Sequence, residues 1–197
     1  MSGSMKTRQH SSMWSRLRNS AAALRRDCRG LAAVEFALVI PLMLVMFFGT
    51  NEFSTGVAVD RKVTLMARTL SDLTSQNLTV TDTQFTNFFN ASKAIMSPYA
   101  TTPLQATITE LYVDPATLVA RVQWSKGTTP RTAGTSVTIP TALQVGGTYL
   151  IYSEVSYVYT PNIGYVLKTS INLSDYTFTR PRQSTCVMYN TTVCTTS

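Results

Sequence analysis

The sequence predicts an α+β protein in which a long N-terminal transmembrane helix packs on a small domain built from a second helix and an antiparallel β-sheet. Three patterns carry this prediction. Leu31 to Phe48 is an 18-residue apolar run whose one ionisable side chain is Glu35. Apolar residues then recur at mostly three- or four-residue steps to about Ser75, and from Leu104 onward the period becomes two. The boundaries that follow are a basic leader over 1–30, a long helix over 31–76 with 31–48 in the membrane, and an α+β domain over 77–197.

The first element explains the charge. The chain carries 17 Lys+Arg against 10 Asp+Glu, a net of +7 over 197 residues. Residues 1–30 hold Lys6, Arg8, Arg16, Arg18, Arg25, Arg26 and Arg29 against Asp27, and the remainder is nearly neutral. A high pI ordinarily raises nucleic acid as a partner. Here the charge belongs to the leader, and no nucleic acid is expected. At 1.5 Å per residue the apolar run covers roughly 27 Å, close to the hydrocarbon thickness of a bilayer. Basic residues flanking a span stay cytoplasmic, which places the N-terminus inside and residues beyond about 50 outside. A buried core helix is the alternative, but there is no polar residue between Phe36 and Phe48. A secretory signal is the other, and Phe47, Phe48, Gly49 and Thr50 are a poor small-x-small cleavage pattern.

Past the membrane the helix continues with Phe53, Val57, Val63, Met66, Leu70 and Leu73 as its apolar stripe. Thr81 or Asp82 caps a second helix whose apolar face is Phe85, Phe88, Phe89, Ile95 and Met96, ending before Pro98. Leu104 to Val113 and Leu118 to Trp124 form a hairpin about Asp114-Pro115, Lys126 to Ser136 is a loop, and Thr148 to Tyr159 and Ile171 to Thr179 are strands. Tyr149, Ile151, Val155, Tyr157 and Tyr159 fall on or near one face. Residues 77–197 include 25 threonines and only 12 charged residues, a composition suited to an exported β-rich domain. Cys186 and Cys194 stand on the oxidising side and are expected to form a disulfide, whereas Cys28 is on the reducing side.

Glu35 is the most informative residue. A carboxylate near the start of an apolar helix costs free energy in a bilayer and is usually kept for a partner, although at this depth it can snorkel to the headgroups. Cleavage between Gly30 and Leu31 would create a positive partner, a new α-amino group at Leu31, and make Glu35 the fifth residue.

Arg29-Gly30 followed by LAAVEFALVIP resembles the processing site of type IV pilin-like proteins, and most closely the TadE-like minor pilins (pseudopilins) of Tad pilus systems. The resemblance covers about residues 29 to 75, with a looser likeness at SYVYTP (Ser156 to Pro161) and Arg180-Pro181-Arg182. It implies a pilin-like lollipop in the bacterial inner membrane, cut after Gly30 by a prepilin peptidase, with Glu35 and Phe36 as recognition residues. The C-terminal domain would be periplasmic, and the subunit would enter a fibre together with other pilin subunits and Tad assembly-platform proteins. The implied role is in pilus assembly or priming, in a secretion or adhesion apparatus. An uncleaved signal-anchored periplasmic binding or scaffold protein is the alternative.

The motif has its own physical logic. Glycine lets a protease approach the backbone closely. A glutamate one turn along the helix can neutralise a neighbour's N-terminal ammonium, and removing one member of such a buried pair costs about 3 to 5 kcal/mol. Pro41 deletes one helical hydrogen bond and is expected to kink or loosen the span.

Catalysis is poorly provided for, and no enzyme, cofactor or metal is expected. The one histidine is His10, in the leader, so a cleaved chain lacks Ser-His and Cys-His catalysis and histidine zinc ligands. Asp82, Glu110, Asp114, Glu154 and Asp175 are isolated in sequence. Tyr149, Tyr152, Tyr157, Tyr159 and Tyr165, with Lys168, Arg180 and Arg182, could form a glycan or nucleic-acid surface, but strand packing is the preferred reading.

Overall fold

The computed structural model describes residues 29–161 and 169–194. His10, Cys28, the basic leader up to residue 28, Tyr165 and Lys168 lie outside the described residues. The chain divides into two compact units, 1–47 and 48–197.

Helix α1 (Arg29–Ser75) runs through both units. Within the first unit its apolar side chains face outward all round, from Leu31 to Phe47. A helix apolar on every side needs an apolar surrounding. One 18-residue window reaches a mean hydropathy of 2.5 with none of it buried, which fits a single-pass membrane protein. The helix continues through Pro41.

In the second unit α1 becomes a core helix. Val59, Val63, Met66, Ala67 and Leu70 are fully buried, at the three- and four-residue steps of one face. Phe53 and Val57, expected on that stripe, are exposed at 70% and 38%. The reason is phase: Val57 precedes Met66 by nine residues, two and a half turns, and so points to the opposite side.

After α1 come a short strand β1 (Thr79–Val80) and helix α2 (Asp82–Ile95). Thr81 caps α2 through a reciprocal pair with Gln84. Gln84 N–H donates to Thr81 Oγ1 at 3.3 Å, and Thr81 N–H donates to Gln84 Oε1 at 2.9 Å. Phe85 is buried, with Phe88 and Phe89 packed against the same core.

The main sheet contains β2 (Leu104–Val113), β3 (Ala120–Gly127), β4 (Ser136–Val137), β5 (Tyr149–Tyr159) and β6 (Ile171–Thr179). All pairs are antiparallel, in the order β4-β3-β2-β5-β6. The β2–β3 turn is built by Asp114, whose Oδ1 accepts the N–H groups of Ala116 at 2.7 Å and Thr117 at 3.1 Å. Leu118, expected in the strand, belongs to this turn with φ 58°. The strand therefore starts later and extends past Trp124 to Gly127. A register shift between Glu110 and Leu111 accommodates one extra residue opposite, between Val122 and Trp124.

Ile151, Val155, Tyr157 and Tyr159 of β5 join Ala106 and Ile108 of β2 in the core shared with α1. The first half of β5 is buried on both faces, because Val137, Ile139 and Leu143 of the long β3–β5 connection cover Leu111, Leu150 and Tyr152. Tyr149 sits apart, against Tyr112 and Cys186. Two contacts align α1 with β5. Ser71 Oγ donates to Ile151 O at 3.3 Å, and the Tyr159 ring comes within 3.7 Å of the place where a Cβ on Gly56 would lie. Fifteen helical residues span roughly 22 Å and eight extended ones roughly 26 Å, so helix and strand run antiparallel side by side.

The sequence pattern missed the C-terminal strand β7 (Met188–Tyr189), which pairs in parallel with β1. Two-residue strands carry no periodicity.

Candidate functional site

The N-terminal turn of α1 holds Gly30 and Leu31. Gly30 is exposed, and nothing approaches within 4 Å of where its Cβ would be. The Gly30–Leu31 peptide lies in the first described turn of α1. Leu31 and Glu35 are four residues apart and share one helix face. Glu35 and Phe36 are both exposed, Phe36 at 64%. Gly30, Leu31, Glu35 and Phe36 therefore lie within the first two described turns of α1, exposed among the described residues.

The residues expected from the looser C-terminal likeness have structural tasks. Ser156 to Tyr159 close β5. Arg182 follows β6 and returns to the end of α1, where its N–H donates to Ser75 O at 2.9 Å and its guanidinium pairs with Asp72 at 2.5 Å. The first of these bonds occupies a carbonyl that the last helical turn leaves without a partner in the helix. Tyr149, Tyr152, Tyr157 and Tyr159 are buried in the sheet packing.

The carboxylates have separate surroundings. Asp82 accepts from Tyr189 Oη at 2.5 Å and Asn190 Nδ2 at 3.4 Å and lies 3.4 Å from Lys126 Nζ. Its carboxyl is held below the usual range, chiefly by the Tyr189 hydroxyl. Glu154 accepts a two-pronged pair from Arg131 at 2.6 and 3.1 Å and a bond from Tyr152 Oη at 2.9 Å. Burial, and then this carboxylate, push the Tyr152 phenol up.

Glu110 is the residue that sequence reasoning passed over. It is 1% exposed, on the same face of β2 as Ala106 and Ile108. Its Oε1 accepts the Val187 N–H at 2.6 Å, while Trp124 Nε1 donates to Val187 O at 2.8 Å. Burial lifts its carboxyl from the ordinary 4.5 to about 8, against the lowering effect of the bonds from Val187 and Trp124. The available signal was its phase: at period two from Leu104, position 110 faces inward. The loop that Glu110 holds is closed by a disulfide between Cys186 and Cys194, with Cα atoms 6.3 Å apart.

No curated protein and no solved structure matches the chain. Residues 30–70, from the glycine at the head of α1 into its buried half, match the family model described as TadE-like protein, the family that the residues around Gly30 and Glu35 resemble.

Proposed function

We propose that the chain is a minor pilin-type subunit of a Tad-type pilus, made as a membrane-anchored precursor and cut by a prepilin peptidase between Gly30 and Leu31. The observation that carries this reading is the exposed Gly30-to-Phe36 stretch at the head of the described part of α1. A glycine with open space around it precedes an apolar, outward-facing helix, and Glu35 is five residues beyond the cut. The match to the TadE-like family over residues 30–70 supports it.

In this reading α1 holds the precursor in the inner membrane with its N-terminus cytoplasmic, and the 48–197 unit is periplasmic. After cleavage the Leu31 ammonium and the Glu35 carboxylate are complementary charges one turn apart. Glu35 neutralises the ammonium of a neighbouring pilin as helices stagger in the fibre, and Phe36 packs beside it. Loosening at Pro41 helps the helix leave the bilayer. No catalytic role is assigned.

The test is Glu35→Ala. The variant should insert and be cleaved as the parent is, yet fail to support pilus assembly. Normal assembly by this variant removes the proposed role of Glu35.

A further inference from the structure

The face of the main sheet turned away from the core carries a groove of about 370 Å³. Two rows of side chains cross it. Gln105, Ser156 and Ser174 stand in register across β2, β5 and β6, and Thr107, Glu154 and Tyr176 form the next row. Side chains alternate along a strand, so Ala106 and Val155 between these rows point the other way, into the core. The segment after β3 forms a wall of the groove. Thr129 N–H donates to Thr107 Oγ1 at 3.3 Å, and Arg131 reaches Glu154.

The groove is held in shape by its own side chains. Glu154 accepts from Arg131 at 2.6 and 3.1 Å and from Tyr152 Oη at 2.9 Å, and the Arg131 guanidinium lies 5.6 Å from the centre of the Tyr152 ring. Tyr176 packs edge-on against Tyr152 and Phe178, with ring centres 5.9 and 5.7 Å away, and is still 58% exposed. Side chains already ordered in this way lose little freedom when a ligand arrives.

The chemistry of the lining selects the ligand class. It offers amide, hydroxyl, carboxylate and guanidinium groups around one accessible aromatic ring, and it gives a lipid chain no apolar floor. One cation, Arg131, stands against two carboxylates, Glu154 and Asp175, which does not attract a phosphate backbone. A neutral sugar fits both properties. Its hydroxyls donate to carboxylate and amide oxygens and accept from guanidinium N–H groups, while its C–H face covers an aromatic ring. Adjacent strands are about 4.8 Å apart, comparable with the width of one sugar ring, so a row across three strands accommodates one or two rings.

We propose that this groove binds a neutral oligosaccharide, with Tyr176 as the stacking platform and Gln105, Arg131 and Glu154 as partners for its hydroxyls. The site lies wholly within the 48–197 unit and stands independently of the pilin reading.

The test uses the full chain in a zwitterionic detergent without a sugar headgroup, because glycoside detergents present the same chemistry. The protein is applied to a printed array of neutral, sialylated and uronate-containing oligosaccharides, and the strongest neutral ligand is titrated by calorimetry. Tyr176→Ala should weaken binding about tenfold, the size of one lost ring contact. Tyr176→Phe keeps the ring and should bind as the parent does, and Gln105→Ala should bind more weakly than the parent. Thr86→Ala, on α2 and away from the groove, should leave binding unchanged. Near-ultraviolet circular dichroism matching the parent's checks that each variant is folded. Retention of no neutral glycan, binding confined to the acidic glycans, or equal binding by the parent and Tyr176→Ala overturns the site.

Discussion

Glu110 Oε1 accepts the N–H of Val187 at 2.6 Å, and the Trp124 indole N–H donates to the carbonyl of the same residue at 2.8 Å, so one residue of the C-terminal loop is held through both of its backbone polar groups inside the core. The loop belongs to the fold because of these two bonds and the β1–β7 pairing. The clasp is built from a carboxyl whose proton is held to about pH 8.

The pH dependence follows from that proton. Between about 4.5 and about 8 the native state keeps a proton that the unfolded chain has released, so stability falls as pH rises across this window and levels off above it. Each pKa unit corresponds to about 1.4 kcal/mol, so the loss across the window is on the order of a few kcal/mol. Glu110→Gln keeps an oxygen for Val187 and has no proton to lose. Urea unfolding of detergent-solubilised protein from pH 4 to 9 should show the decline in the parent and flatten it in the variant.

Trp124→Phe and Arg182→Ala separate a buried bond from an exposed one. The first removes the donor to a buried carbonyl and should cost about 1 to 3 kcal/mol. The second removes a largely exposed ion pair with Asp72, leaves the backbone bond to Ser75 in place, and should cost about 1 kcal/mol or less. Unfolding midpoints of the two variants in urea at one pH give the comparison.

Two backbone positions give predictions of opposite sign. Gly127 has φ 145°, and a Cβ there would meet the Ala106 carbonyl oxygen within 2.2 Å, so Gly127→Ala should destabilise by about 2 kcal/mol or more. Leu118 has φ 58° and is 42% exposed, so Leu118→Gly should relieve about 1 kcal/mol of strain at little packing loss. Thermal unfolding of both variants measures the signs.

The Cys186–Cys194 bridge closes a loop of eight-residue separation. Chain-entropy arguments give such a loop about 2 to 3 kcal/mol. Reductant or Cys194→Ser should lower the unfolding midpoint accordingly. Two alkylation adducts on these cysteines should be detected by mass only after reduction.

The elements with a strong period were legible in the sequence. The apolar run from Leu31, the Thr81 cap, the Asp114 turn and the two long central strands follow from local chemistry. The phase of α1 beyond the membrane was not legible, because Phe53 and Val57 continue an apolar spacing while pointing away from the core that Val59 to Leu70 share with the sheet. The double-sided burial of Leu150 and Tyr152 was hidden because it depends on the distant Ile139 and Leu143. Glu110 read as an isolated carboxylate because its partner Val187 is 77 residues away. At the other end of the chain, the Gly30 to Phe36 motif is contiguous, so its residue types and spacing could be read directly.

The central claim concerns Gly30 and Leu31, and N-terminal sequencing of the membrane-resident protein, made with and without a prepilin peptidase, tests it most directly. The account predicts a chain beginning at Leu31 when the peptidase is present and an intact leader when it is absent. A leader retained in the presence of an active peptidase would contradict it and leave an uncleaved, signal-anchored envelope protein.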